Sequence, residues 1–334
     1  MRYVLLALAA LTLLAACRRH RGDADSSPTP APSASATATA SPAPTPATPT
    51  PDATQPPAIG SGVYTGSMEY SGLERTWRVY VPASLPAGQY APLVIGLHGG
   101  FGSGEQFEDT TRMDAEAESG RFIAVYPDGT GDITTWNGGN CCGYAARTDV
   151  DDVGFISILI DTIAHDYPVD RSRVYAVGHS NGAILAFRLA CELSAKIAAI
   201  GAVAGSLEVP GCSPSRPVAV LLIHGDADQN HPIDGGVGPD SVSGVPFNSV
   251  ADTMETVREA MGCSSAPTVS VSGAITTTDW QGCPPDAAVQ LQVIAGGSHA
   301  WPGGKPTIVG GEPSQALDAT SAVWQFVSRF AIAP

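Results

Sequence analysis

Positive charge is scarce in this 334-residue chain: 17 lysine and arginine residues stand against 32 aspartate and glutamate residues, for a formal net charge of -15. The few cations beyond residue 21 are scattered, so the chain lacks the electrostatic footprint of a nucleic-acid binder, and no nucleic acid is expected as a partner. The excess of acid favours solubility instead. There is no C-x-x-C pair and no nearby histidine cluster, so nothing supports a zinc site; no metal and no cofactor is expected. No internal repeat is apparent.

The first sixty residues lack what a core requires. An apolar run from Tyr3 to Ala16 follows Met1-Arg2 and is too short to span a bilayer comfortably, which gives it the layout of a secretory signal. It ends in Leu14-Ala15-Ala16-Cys17, which resembles a bacterial lipobox, and the resemblance implies a signal peptide over 1–16 and lipid modification of Cys17. From about Gly22 to Pro57 the chain is almost entirely proline, alanine, serine and threonine, which cannot bury a core. Residues 17–59 are thus expected to tether an exported folded domain to the envelope, and the roughly 35 residues of the proline-rich stretch, if largely extended, would reach on the order of 100 Å at ~3.1 Å per residue. The basic cluster at Arg18, Arg19 and Arg21 could touch anionic lipid headgroups. Lipid is the only membrane contact expected.

Residues 60–334 suit one large α/β domain. Val63 to Val81 reads as an antiparallel hairpin, after which strands alternate with helices near 105–118, 152–166, 182–194, 248–261 and 315–330. That alternation predicts a mostly parallel central sheet covered by helices on both faces. Six cysteines follow Cys17 in a chain bound for an oxidising compartment, so disulfides are expected. The pairs that fit are Cys263 with Cys283, around a threonine- and serine-rich strand pair, and Cys191 with Cys212, around one strand. Cys141 and Cys142 form a vicinal bridge or pair elsewhere.

The chemistry concentrates at Gly178-His179-Ser180-Asn181-Gly182. An apolar strand, Arg173 to Val177, leads into it, and a helical run, Asn181 to Leu193, leaves it. Ser180 therefore sits on a tight strand-to-helix turn, where side chains two residues to either side would collide. Glycines occupy both places. The strand Pro217 to Ile223 runs into His224-Gly225-Asp226-Ala227-Asp228, and the strand Val289 to Ile294 into a loop bearing His299. The order serine, aspartate, histidine is the one α/β-hydrolases use. A serine hydroxyl is a poor nucleophile near neutral pH, so His299 is the candidate base, oriented by a buried carboxylate. Asp228 is the favoured orienter and Asp226 its rival. The strand Leu93 to Leu97 ends in His98-Gly99-Gly100-Phe101-Gly102, a turn that resembles the glycine-rich oxyanion loop of esterases. One oxyanion N–H is expected from Gly100 or Phe101 and the other from Asn181, at a helix start.

With these residues assembled, the domain resembles the polyhydroxybutyrate depolymerase and feruloyl esterase branch of the α/β-hydrolases. The likeness is carried by Leu97-His98-Gly99, Tyr126-Pro127-Asp128-Gly129, Trp136-Asn137, Cys141-Cys142-Gly143, Asp151 to Phe155, the serine turn, His224-Gly225-x-x-Asp228 and His299 to Gly304. Gly100 departs from the family, whose members often carry cysteine there, and Asp226 stands where threonine is usual. The resemblance implies an α/β-hydrolase fold, serine esterase activity through an acyl-enzyme, and the later aspartate, Asp228, as the acid. It does not choose among hydroxyalkanoate, feruloyl and acetyl esters. A monomer acting on small or oligomeric esters is expected, since a membrane tether limits access to particles and no folded surface-binding domain accompanies the hydrolase. The competing class is a non-catalytic envelope binding protein on a hydrolase scaffold.

Several residues have plainer readings. His98 and His224 lie at strand ends, where histidines are commonly buried and hydrogen-bonded. His179 supports the turn, and His231 could line the site. Asp151 and Asp152 read as the cap and first turn of a helix beginning near Val153. Trp136 and Trp301, on loops, are candidates for lining a substrate groove, the alternative being that they pack over the core.

Overall fold

The pattern of short apolar strands and longer helical runs folds as alternating layers. A computed structural model describes residues 57, 59–307 and 309–333; the signal, Cys17 and nearly all of the tether lie outside them. Ten strands make one sheet: β1 (Gly62–Tyr70), β2 (Leu73–Val81), β3 (Ala91–Leu97), β4 (Ile123–Pro127), β5 (Val169–His179), β6 (Ala199–Val203), β7 (Ala219–Gly225), β8 (Pro267–Ser272), β9 (Ile275–Trp280) and β10 (Val289–Ile294), in the order β1-β2-β4-β3-β5-β6-β7-β10-β9-β8. The six strands from β4 to β10 pair in parallel, and antiparallel hairpins finish both edges.

Burial follows from position in the sheet. β3, β4, β6 and β7 are buried at every residue, as strands covered on both faces must be, whereas the edge strand β1 alternates between exposed and half-buried residues. Seven helices follow in chain order: α1 (Gly104–Thr111), α2 (Met113–Gly120), α3 (Gly143–Arg147), α4 (Asp152–Asp166), α5 (Asn181–Glu192), α6 (Val250–Ala260) and α7 (Ala319–Val327). Two apolar clusters cover the sheet. One packs α4, α5 and α6 with Ile95, Leu97 and Leu222, the other α1, α2 and α7 with Val94, Tyr126 and Ile223. Neighbouring strand residues thus point to opposite layers.

Two sequence expectations shift at helix boundaries. The run over 105–118 is broken at Arg112, whose left-handed backbone (φ 55°) ends α1 and starts α2. The last helix begins at 319 rather than 315, because the Asp318 side chain accepts the Ser321 N–H and caps it there. The two expected disulfides form, Cys263–Cys283 at the β8–β9 hairpin and Cys191–Cys212 around β6, and of the two readings left for Cys141 and Cys142 the structure has the vicinal pair. Among the described residues no helix is long and apolar enough to cross a membrane, and no group of acidic, histidine and cysteine side chains could hold a metal ion.

Candidate active site

Ser180 stands between β5 and α5 at φ 53° and ψ -121°, a conformation that non-glycine residues rarely adopt. The flanking glycines are demanded by packing. A Cβ at Gly178 would run into the Gly182 carbonyl, and one at Gly182 into the Leu97 carbonyl. From this turn the Ser180 hydroxyl reaches His299 Nε2 at 2.8 Å, and His299 Nδ1 reaches Asp228 Oδ2 at 2.7 Å. The three residues, 119 and 71 positions apart in their pairs, meet because β5, β7 and β10 end on the same edge of the parallel sheet.

The two aspartates separate cleanly. Asp228 is buried, and its other oxygen, Oδ1, accepts the backbone N–H groups of Asn230 (2.9 Å) and His231 (2.8 Å). Burial alone would raise its carboxyl, but the hydrogen bond and charge of His299, with the His231 N–H, outweigh that and hold it below the ordinary carboxylate range. Asp226 is exposed and accepts the Gly296 N–H at 2.6 Å, which joins the two loops without touching His299.

The expected oxyanion donors also resolve. Phe101 spends its N–H on the Thr134 carbonyl (3.0 Å), which removes it from consideration. The N–H groups of Gly100 and Asn181 meet no acceptor among the described residues. The Asn181 side chain is clamped from both ends by the Trp136 backbone, its Oδ1 accepting the N–H (2.7 Å) and its Nδ2 donating to the carbonyl (3.0 Å).

Both tryptophans take the core-packing reading and not the groove. Trp136 is fully buried and donates its indole N–H to the His98 carbonyl (3.0 Å), bracing the oxyanion loop from within. Trp301 is equally buried, bonded to Thr320 Oγ1 and packed edge-on against Phe107. Neither lines a groove, because an aromatic on a loop covering a parallel sheet has a core within reach. Asp152 is likewise more than a first-turn residue. It is buried, pairs with Arg75 Nη2 at 2.8 Å and accepts the Asn137 N–H, while the Arg75 guanidinium lies 3.8 Å from the Phe155 ring centre. Asp151 is the α4 cap, as expected, accepting the Gly154 N–H.

The buried histidines beside the site are held neutral. Burial pushes His98 down to about 4, and its ring bridges the Gly99 carbonyl and the Gly129 N–H. Burial, reinforced by the adjacent His299 ring, pushes His179 to about 4 as well. Its Nε2–H donates to the His299 carbonyl at 2.6 Å, so it supports the histidine loop as well as the turn.

Residues 76–277 match the family described as esterase PHB depolymerase, well over half of the chain. The chain belongs to that family. This esterase is 31% identical over 284 residues to NocK of Nocardia uniformis subsp. tsuyamanensis, named an esterase, covering 76% of this chain and 79% of that one. It is 30% identical over 241 residues to feruloyl esterase C of Emericella nidulans, covering 70% and 76% of the two. An acetyl xylan esterase from Aspergillus awamori superposes with a TM-score of 0.52 at 17% identity, over 68% of this chain and 89% of that one, which establishes the shared α/β-hydrolase fold.

Proposed function

We propose that this esterase is an exported serine hydrolase that cleaves small or oligomeric carboxylic esters through an acyl-enzyme. The observation that carries the reading is the line from Ser180 Oγ through His299 to Asp228, 2.8 and 2.7 Å long, at a strained turn beside two N–H groups without acceptors. Ser180 gives its proton to His299 Nε2 as its oxygen attacks the ester carbonyl. Asp228, ionised and bonded to Nδ1–H, holds the ring in the tautomer that leaves Nε2 free and stabilises the imidazolium that forms. The oxyanion is met by the N–H groups of Gly100 and Asn181, the latter at the positive end of α5. His299 then protonates the leaving alcohol, and water, deprotonated by the same ring, releases the acid.

Three disulfides and the N-terminal sequence support export, with lipid on Cys17 as the anchor. The substrates proposed are soluble short-chain, hydroxybutyrate-oligomer, feruloyl or acetyl esters and not crystalline polymer; kinship with a feruloyl esterase supports the feruloyl member of that set. A panel of p-nitrophenyl esters, soluble 3-hydroxybutyrate oligomers, methyl ferulate and a crystalline polyhydroxybutyrate suspension tests this. Fast clearing of the suspension with little turnover of the small esters would overturn the substrate reading. Labelling by a fluorophosphonate separates the enzyme from a binding protein on the same scaffold, since a binder leaves Ser180 unreactive in folded protein.

A further inference from the structure

His231 holds contacts that the ester chemistry does not itself use. Its backbone N–H donates to Asp228 Oδ1 at 2.8 Å, and its carbonyl accepts from His224 Nε2, also at 2.8 Å. Its ring stacks on Phe247, with centres 4.0 Å apart and planes 13° from parallel, and ring Nε2 lies 2.8 Å from Ser206 Oγ. The ring is 1% exposed and Ser206 is fully buried, so no substrate reaches this serine.

The direction of these hydrogen bonds follows from counting protons. Glu208 Oε1 accepts both the Ser206 hydroxyl (2.5 Å) and the Asn248 backbone N–H (2.8 Å), so that oxygen carries no proton. Ser206 has one proton and gives it to Glu208. Its lone pair must then accept from His231 Nε2–H. Burial lowers His231 well below its ordinary range, which keeps the ring neutral with that single N–H.

Ser206 is in turn fixed to the nucleophile. It follows Gly205 just beyond β6, and a Cβ on Gly205 would collide with Ala183 and press on the Ser180 carbonyl. The Ser180 N–H itself bonds to the Val203 carbonyl at the end of β6. Strand β6 lies between the strand that carries Ser180 and the strand that leads to Asp228. The bond between His231 and Ser206 therefore runs from the acid loop to the segment after β6, whose strand end at Val203 holds the Ser180 N–H.

We propose that the His231 side chain is a positioning residue: through Ser206 it locks the acid loop to the nucleophile's turn and so aims Asp228 Oδ2 at His299. The inference rests on the serine-esterase reading above. The loop is also held toward the histidine side, by Asp226 Oδ1 on the Gly296 N–H and by Asn230 Nδ2 on the Val309 carbonyl, but without the ring it loses its bond to the segment after β6, and small displacements between reacting groups are costly.

The test uses the purified full chain, with active sites counted by fluorophosphonate titration and turnover followed with p-nitrophenyl butyrate. In His231→Leu, kcat per titrated site falls about ten- to a hundredfold while KM stays within about twofold. His231→Gln, whose amide can also donate to Ser206, recovers most of the loss. Should the leucine variant fail to fold, Ser206→Ala removes the acceptor at little cost in volume and lowers kcat in the same direction. Unchanged kcat per titrated site in a folded variant, or equal losses for leucine and glutamine, overturns the proposal. A wild-type chain that takes no label and cleaves no ester fails the esterase reading first, and this one with it.

Discussion

Ser180, His299 and Asp228 on one side, and Ser206, His231 and Glu208 on the other, are two clusters of nearly the same chemical groups, in contact where the His231 N–H meets Asp228. Their wiring runs in opposite directions. In the first the carboxylate sits on the histidine, so the free imidazole nitrogen faces the serine proton. In the second the carboxylate sits on the serine, accepts the hydrogen bond of its hydroxyl, and leaves the imidazole as a donor to the serine oxygen. Ser180 is partly exposed on a strained turn, whereas Ser206 is sealed. Residue types alone do not make a nucleophile; the order of bonding and the access do.

That contrast breaks most decisively at the serines. Ser180→Ala should lower ester turnover by three or more orders of magnitude, ~10³ at the least, where Ser206→Ala loses far less; comparable losses in a side-by-side assay would erase the distinction. Next come the carboxylates. Asp228→Asn is expected to cost ~10⁴ in kcat by favouring the wrong tautomer, while Asp226→Asn, which touches only a backbone N–H across two loops, leaves kcat nearly intact. A larger loss at Asp226 would reassign the acid.

Two further measurements sharpen the contrast from outside both clusters. Replacing Cys263 and Cys283 by alanine should lower unfolding free energy by about 3 kcal/mol in the chain-entropy model, with kcat unchanged, since the β8–β9 hairpin lies at the sheet edge away from both serines. His98 gives the smallest effect. Its folded value is depressed to about 4, below that of the unfolded chain, so between ~6.5 and ~4 the unfolded state binds more protons and stability falls as pH falls. Urea unfolding at pH 7 and pH 5 should show that loss, up to about 1.4 kcal/mol per pH unit from this one ring, and His98→Gln should reduce the slope by that share while His179, depressed in the same way, keeps the rest.

The serine turn was legible because its constraints are local: an apolar strand, glycines at both flanks and a helical run lie within twenty residues. Asp228 and His299 could be read for a related reason, each following a strand that ends at the same edge. Trp136 and Trp301 could not be decided between groove and core because burial of a loop is set by what folds beneath it, and neighbouring residues carry no trace of that. The pairing of Asp152 with Arg75, 77 residues apart, is invisible to any local pattern. Ser206 and Glu208 gave no signal at all, since a short polar stretch after a buried strand reads as an ordinary loop. Arg112 offered neither glycine nor proline to announce the break between α1 and α2.

The backbone of Ser180 bears on how such a protein can change over generations. A non-glycine residue at φ 53° and ψ -121° strains the fold, by roughly 1–3 kcal/mol, and glycine would adopt the same angles freely. A lineage kept only for its ability to fold, or to hold a partner, gains stability by exchanging that serine for glycine in a single codon step. Retaining the hydroxyl runs against that drift in every generation, which makes position 180 the place where loss of the chemistry would be recorded first.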